Sequence, residues 1–149
     1  MNKVLLIIIF SFVLTACASR SGFTTPEAMP PNPTVSFENL YLRGVFNWWE
    51  ASPSYRFNES TEGWFVDVEL IADGQPYDFR LSDDKWTPSQ SCGGKYKGQP
   101  VMVESMVYLI CQQASENLQF TPSTTGIYRF VVSPADAGEV SLIIRRRSS

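Results

Sequence analysis

Tryptophan residues at two places in the sequence are the side chains best suited to hold a ligand. Trp48 and Trp49 follow one another at the end of a predicted strand, and Trp86 follows a second predicted strand. An indole ring offers a large flat face at low entropic cost, which suits stacking on the apolar face of a pyranose. Only one of two successive residues on a strand can point inward, so one of Trp48 and Trp49 is predicted at the surface. The alternative for Trp49 and for Trp86 is packing in the core.

The content of histidine and acidic residues restricts the chemistry that the chain can perform. The 149 residues include no histidine, which removes every Ser–His, Cys–His and His–metal arrangement. No third ligand has the spacing of a zinc site, and no cofactor-binding loop is present in the sequence. Asp67 and Glu69 share one strand face and are the remaining alternative, since paired carboxylates can hydrolyse glycosides. We therefore expect no metal, no cofactor and no enzymatic activity.

The first residues have the layout of an export signal. Residues 1–3 carry a positive charge, and residues 4–14 form an apolar run, too short for a membrane-spanning helix of about 20 residues. The Leu-Thr-Ala-Cys sequence that ends at Cys17 resembles the lipobox of bacterial lipoproteins, in which the cysteine takes a diacylglycerol and becomes the first residue. The resemblance implies a signal peptide at residues 1–16 and a membrane anchor at Cys17. Ala18, in place of an aspartate, favours the outer membrane of the bacterial cell envelope.

Two further cysteines, Cys92 and Cys111, remain if Cys17 is lipidated. An even pair in an exported domain indicates a disulfide. The bond would close a loop of about 20 residues and stabilise the fold by about 3 kcal/mol. Two buried free thiols are the alternative.

Composition divides the rest of the chain into a tether and one domain. Residues 17–33 hold the predicted lipidated cysteine followed by Ser, Gly, Thr and several prolines, which predicts a flexible spacer. Residues 34–147 have the size of a single domain. The formal net charge of -3 gives no nucleic-acid footprint, and the basic run Arg145–Arg147 is interpreted as a solvated tail or a contact to anionic headgroups.

Short segments of alternating or continuous apolar residues predict an all-β domain of six to eight strands and no long helix. An Asp73-Gly74 pair predicts a hairpin between two of the strands. The predicted strands are residues 41–46, 64–70, 77–82, 101–111, 127–133 and 139–145, with a helix as the weaker alternative for residues 101–111. This pattern of short strands and close turns is typical of a β-sandwich.

Three segments in order carry a resemblance to a known family. The first is Tyr-Leu-Arg-Gly-Val-Phe-Asn-Trp-Trp at residues 41–49, and the second is Tyr-Asp-Phe-Arg-Leu at residues 77–81 with Trp86 downstream. The third runs from Glu116-Asn117-Leu118 to Gly-Ile-Tyr-Arg-Phe at residues 126–130. Together they resemble the early-set immunoglobulin-like domains that accompany pullulanases and branching enzymes, and their glycogen- and starch-binding relatives. The resemblance implies an immunoglobulin-like, early-set β-sandwich.

In the binding members of this family, two tryptophans and a lysine form the sugar site. The pattern places the tryptophans at Trp49 and Trp86, and the lysine position falls on Asp78 or on Arg80. Asp78 departs from the family pattern, whereas Arg80 keeps the positive charge. The resemblance therefore implies Trp49, Trp86 and Arg80, with Trp48 beside them, as candidate carbohydrate-binding residues.

Two functions from different classes fit these observations. The first is a non-enzymatic envelope lipoprotein whose sandwich domain binds carbohydrate, with an α-glucan as the expected ligand. The second is a protein–protein adaptor in an envelope complex, in which Trp48, Trp49 and Tyr55 form an apolar docking patch. Side-by-side Trp49 and Trp86 rings with exposed faces would favour the first, and two buried rings would favour the second.

Overall fold

The computed structural model of this chain describes residues 34–148. The predicted signal peptide, Cys17 and the tether at residues 17–33 lie outside the described residues. Ten strands make up the domain: β1 Tyr41–Gly44, β2 Asn58–Ser60, β3 Gly63–Leu70, β4 Tyr77–Ser82, β5 Cys92–Gly93, β6 Gln99–Val101, β7 Val107–Cys111, β8 Leu118–Phe120, β9 Gly126–Pro134 and β10 Val140–Arg146. Five short 3-10 helices connect them: Phe37–Asn39, Val45–Asn47, Pro53–Tyr55, Pro88–Gln90 and Asp136–Gly138.

The strands form two sheets that share β7. One sheet has the order β2-β3-β9-β10-β7, and the other continues as β7-β5-β4-β8-β6, with β1 on the free side of β4. Val107 to Leu109 pair with β10, whereas Ile110 and Cys111 pair with β5. All of these pairs are antiparallel except β6 with β8. No helix within residues 34–148 is long and apolar enough to cross a membrane.

The hydrophobic core lies between the two sheets. The Phe79 ring from one sheet meets the Phe130 ring from the other edge to face, with centroids 5.2 Å apart. Phe120 packs in the same manner on Tyr128, at 5.1 Å. These four side chains are fully buried, as are leucines from both sheets. The predicted all-β sandwich is confirmed.

Two predicted local elements are wrong. The Asp73-Gly74 turn does not close a hairpin, because β3 pairs with β2 and β9 while β4 lies in the other sheet. The predicted strand at residues 101–111 is two strands, β6 and β7, with an exposed segment between them. Met102 and Met106 in that segment are 71% and 54% exposed, so the continuous apolar run does not reflect continuous burial.

The predicted disulfide links two neighbouring strands of the second sheet, next to the point where β7 passes from one sheet to the other. Cys92 on β5 and Cys111 on β7 are directly opposite each other, with Cα atoms 4.0 Å apart and the sulfurs bonded. Cys92 is fully buried. The predicted disulfide is therefore confirmed, and it holds together the point where the chain passes from one sheet to the other.

The outer face of the first sheet carries an ion-pair network that includes the basic C-terminal run. Arg129 binds both carboxylate oxygens of Asp67 at 2.8 Å, and Arg147 donates to the same carboxylate at 2.9 Å. Arg145 pairs with Glu62 at 2.6 Å. The interpretation of Arg145–Arg147 as a solvated tail is therefore wrong for these two arginines, which pack across strands. Because Asp67 is bound by two arginines, the structure does not favour the alternative in which Asp67 and Glu69 act together as a catalytic carboxylate pair.

Acid should weaken the fold through Asp67. The hydrogen bond from Arg129 lowers the pKa of Asp67, with burial opposing it. A carboxyl whose folded pKa is lowered stabilises the fold above its unfolded pKa of about 3.9, and that contribution is lost as the pH falls through the folded value. We expect Asp67→Asn to lower the free energy of unfolding at pH 7 and to flatten its decline from about pH 5 to about pH 2, measured by urea denaturation.

Glu69→Gln is the matched control for this prediction. Glu69 is exposed on the same face of β3 and forms no ion pair with a described residue. Its replacement should change the stability at pH 7 by less than about 0.5 kcal/mol. An acid profile of Asp67→Asn that matches that of the wild type would contradict the assignment.

Candidate ligand-binding site

Two arginines face each other on the outer surface of the second sheet. Leu42 on β1 and Leu81 on β4 are cross-strand partners and are fully buried. Because successive side chains alternate between faces, their neighbours Arg43 and Arg80 project from the opposite face. Arg43 and Arg80 are themselves direct partners in the β1–β4 register. This face is where the candidate site residues gather.

The loop that follows β1 is built around the buried side chain of Asn47. Its Oδ1 accepts the Gly44 N–H at 2.9 Å, and its Nδ2 donates to the Leu42 carbonyl at 2.9 Å. Gly44 has no room for a side chain, since a Cβ there would lie 2.6 Å from the Asp78 carbonyl oxygen. The Trp49 N–H then donates to the Gly44 carbonyl at 2.9 Å and closes the loop. The Arg-Gly-x-Phe-Asn-x-Trp spacing is therefore a loop-building pattern that fixes the backbone of Trp49.

Asn47→Ala should destabilise this loop. It would leave the buried Gly44 N–H and the Leu42 carbonyl without their side-chain partner, at a cost of about 1–3 kcal/mol. We expect a lower midpoint of urea denaturation. Asn58→Ala is the control, because the exposed Asn58 amide only donates to the Arg56 carbonyl. Equal stability of the two variants would show that Asn47 does not hold the loop.

The loop that follows β4 is held by short polar side chains. Asp83 Oδ1 accepts the Thr87 N–H at 2.8 Å, which closes a turn around Trp86. The buried Ser82 and Ser91 hydroxyls are 2.8 Å apart, and the Ser91 hydroxyl also donates to the Thr87 carbonyl at 2.9 Å. Three hydrogen bonds thus fix the backbone on both sides of Trp86.

Arg43 joins the two loops. The loops leave opposite ends of the β1–β4 pair, because Gly44 at the end of β1 lies opposite Phe79 near the start of β4. Arg43 Nε donates to the Trp49 carbonyl at 2.6 Å, and its Nη1 donates to the Asp83 carbonyl at 2.8 Å. Burial lowers the pKa of Arg43, and Asp83 partly opposes this. One guanidinium therefore ties both loops to the sheet.

Trp49 and Trp86 lie side by side, and the Arg43 guanidinium lies against the Trp86 ring. Their ring centroids are 6.5 Å apart and the ring planes are tilted by 40°. Arg43 Cζ lies 3.8 Å from the Trp86 centroid, a cation–π contact that covers part of that ring. Trp86 is nevertheless 39% exposed, whereas Trp49 is partly buried. The two tryptophans form one aromatic surface from two separate loops.

The backbone at the tryptophans is strained. Positive φ angles are uncommon outside glycine, and in residues 34–148 only four non-glycine residues have them: Trp48 at 55°, Trp49 at 62°, Trp86 at 58° and Glu104 at 60°. Each such bulky residue costs about 1–3 kcal/mol. Three of the four are tryptophans of the candidate site. Strain of this kind clusters at functional sites, where its local cost is balanced by the surrounding hydrogen bonds.

The other predicted site residues have separate surroundings. Trp48 is 87% exposed and forms no ring pair with a described aromatic residue. In the predicted docking patch of Trp48, Trp49 and Tyr55, the Tyr55 ring is partly buried and stacks on Phe46 at 5.4 Å beside the core. Asp78, the alternative to Arg80 at the lysine position, lies on β4 opposite Gln119. Trp64, the remaining tryptophan of the chain, packs against the core and stacks on Phe37.

Arg80 lies at the edge of the aromatic pair. Its Cζ is 6.0 Å from the Trp86 centroid, and its Nη2 donates to the Ser115 hydroxyl. Burial lowers the pKa of Arg80, and Glu116 opposes this. The structure thus brings Trp49, Trp86 and Arg80 together. It adds Arg43, which lies within the Arg-Gly-x-Phe-Asn-x-Trp pattern, although no local sequence signal marks a strand arginine as a link between loops.

The comparisons with known proteins give one structural likeness. No protein-family model matches this chain, and no curated protein matches it with significance. A solved structure described as "Ligand induced structure of AmyP-SBD" is similar at 11% sequence identity, with a TM-score of 0.48, over 98% of this chain and 100% of that chain.

Proposed function

We propose that the β-sandwich is a non-enzymatic carbohydrate-binding domain whose ligand stacks on Trp49 and Trp86. The observation that carries this proposal is the adjacency of the two rings, 6.5 Å between centroids, on strained loops that meet from opposite ends of a strand pair. A sugar ring presents an apolar face to an indole, and its hydroxyls can accept or donate hydrogen bonds at the rim of the stack. Arg80 supplies donors at that rim.

We propose an α-glucan such as glycogen or a maltodextrin as the ligand. The support is the ordered resemblance of residues 41–49, 77–81 and 116–130 to glycogen- and starch-binding early-set domains. Affinity electrophoresis tests it directly. The folded domain should be retarded in gels that contain glycogen and should run freely in gels that contain a soluble β-glucan. Free migration in glycogen would refute the choice of ligand.

We further propose that Cys17 anchors the domain to the outer membrane and that the Pro-rich residues after it act as a spacer. The support is the sequence alone, through the lipobox resemblance. Growth with labelled palmitate should label the wild-type protein in the outer-membrane fraction. Cys17→Ser should lose the label and leave the membrane fraction. An unlabelled wild-type protein would contradict the proposed anchor.

A protein adaptor is the second candidate. The observation that favours it is Trp48, which is 87% exposed next to Val45 at 45% exposed. Large apolar side chains in a shared exposed patch are typical of docking surfaces. Crosslinking in the envelope followed by mass spectrometry should then recover a stoichiometric protein partner that excess maltodextrin does not displace. Absence of such a partner would remove this candidate.

A further inference from the structure

We propose that the pocket beside Trp86 binds a negatively charged group on the saccharide, so that the domain prefers an acidic glycan to a neutral one. The proposal rests on the carbohydrate-binding function above and specifies the class of its ligand. The group that the pocket recognises is an anionic oxygen, which either a carboxylate or a phosphate ester of the saccharide can supply.

A small pocket lies directly next to the aromatic pair. Arg80, Trp86, Pro88, Ser91 and Gln113 line a volume of about 200 Å³. This space is below the range of about 300–1,000 Å³ typical of sites for whole small molecules, and it suits one substituent of a larger ligand. A sugar stacked on Trp86 would place a substituent within reach of Arg80.

The positive charge at this place is concentrated and lacks carboxylate partners. Arg43 and Arg80 are direct cross-strand partners, an arrangement that is unfavourable for like charges. In residues 34–148 every ion pair within 4.0 Å involves other cations, which are Lys95, Arg129, Arg145 and Arg147. Asp83, Asp84 and Glu50 oppose the lowering of the Arg43 pKa, and Glu116 opposes that of Arg80, but none of these carboxylates lies within 4.0 Å of either guanidinium. Arg80, and not Arg43, lines the pocket, so an anion there would offset the positive charge of Arg80.

Most of the hydrogen-bonding capacity of Arg80 is unused. A guanidinium has five N–H donors and matches carboxylate and phosphate oxygens with two parallel bonds. Within the described part of the chain, the Arg80 guanidinium donates only to the Ser115 hydroxyl. Its Nε is buried without any partner. Nε itself is closed off from solvent, so an anionic group in this pocket would accept from the terminal nitrogens of the guanidinium, of which only Nη2 has a described partner.

The preference would be a local property of this pocket. The chain has a formal net charge of -3, so long-range attraction does not favour an acidic ligand. Any preference for the acidic glycan must therefore come from direct contacts and should disappear with them.

Calorimetric titration of the folded domain with three matched ligands tests the proposal. They are maltohexaose, a form oxidised to the carboxylate at C6 and a form phosphorylated at C6. Charge-assisted hydrogen bonds are stronger than neutral ones, so at least one acidic form should bind about tenfold more tightly than the neutral form. The ratio should fall to about one in Arg80→Gln, whereas Arg80→Lys should retain part of it. Arg56→Gln, an exposed arginine that donates to the Glu38 carbonyl, is the control and should keep the full ratio.

The outcomes separate this inference from the function on which it rests. Tighter binding of one acidic form identifies the group, and tighter binding of both identifies charge alone, so either supports the proposal. Equal binding of neutral and acidic forms by the wild-type domain would overturn the inference and leave carbohydrate binding intact. A preference that persists in Arg80→Gln would also overturn it. Binding of none of the three ligands would refute the proposed function itself. Raising the salt concentration tests the charge dependence without any substitution. The ratio of the wild-type affinities for the acidic and the neutral ligand should then fall.

Discussion

Trp49→Ala and Trp86→Ala should each lower the affinity of the domain for maltohexaose about 30-fold. Large aromatic residues at the centre of a binding site contribute about 2 kcal/mol or more when truncated, and 1.4 kcal/mol is a factor of ten. The two rings are neighbours at 6.5 Å, so in the proposed complex they would stack on adjacent parts of one ligand. Isothermal titration calorimetry measures the change. Because the residues contact each other, the double variant should lose less than the sum of the two single losses.

Trp48→Ala is the matched control for both substitutions. Trp48 belongs to the same loop, has a similar φ of 55° and is far more exposed, yet its ring has no aromatic partner in residues 34–148. Its removal should change the affinity for maltohexaose by less than about twofold. If Trp48→Ala abolished binding while Trp49→Ala did not, the site would lie on the outer side of the loop, and the proposed aromatic pair would be wrong.

Loss of the disulfide should have the largest effect on stability. The double substitution of Cys92 and Cys111 by serine removes a link across 19 residues of sequence and should cost about 3 kcal/mol. At about 4–8 °C per kcal/mol for a domain of this order of size, Tm should fall by about 12–24 °C. Differential scanning calorimetry measures the shift.

A reductant gives the control for the disulfide without any substitution. The wild-type protein should lose a comparable amount of Tm when reduced, because the same crosslink between β5 and β7 is opened. The double serine variant should not respond to the reductant. A wild-type Tm that is insensitive to reduction would show that the crosslink does not stabilise the fold.

The strands and the disulfide were predictable because their signals are local or compositional. Alternating apolar residues in β3 and β4 match the side chains that the structure buries, such as Val66 and Phe79. The disulfide could be predicted from the even number of remaining cysteines together with the expectation that the protein is exported. The Asp73-Gly74 hairpin failed because the turn sequence is local, whereas the choice of partner for β3 is made by β9, more than fifty residues away in sequence.

The candidate site was only partly predictable. The family resemblance selected Trp49, Trp86 and Arg80 by their place in a pattern, and the structure brings these three together. The argument from strand alternation does not explain the different exposure of Trp48 and Trp49, because both lie after the 3-10 helix Val45–Asn47 with positive φ angles. The role of Arg43 depends on two loops that meet only in three dimensions, so no local sequence signal could indicate it.

Fluorine NMR of the domain labelled with 5-fluorotryptophan tests the central claim most directly. The chain contains four tryptophans, so four resonances are expected, and single substitutions assign them. On titration with maltohexaose, the resonances of Trp49 and Trp86 should shift together along one binding curve. Those of Trp48, which is exposed, and Trp64, which packs on Phe37, should stay in place. Four unchanged resonances at saturating sugar, or a shift confined to Trp48, would contradict carbohydrate binding on the Trp49–Trp86 pair.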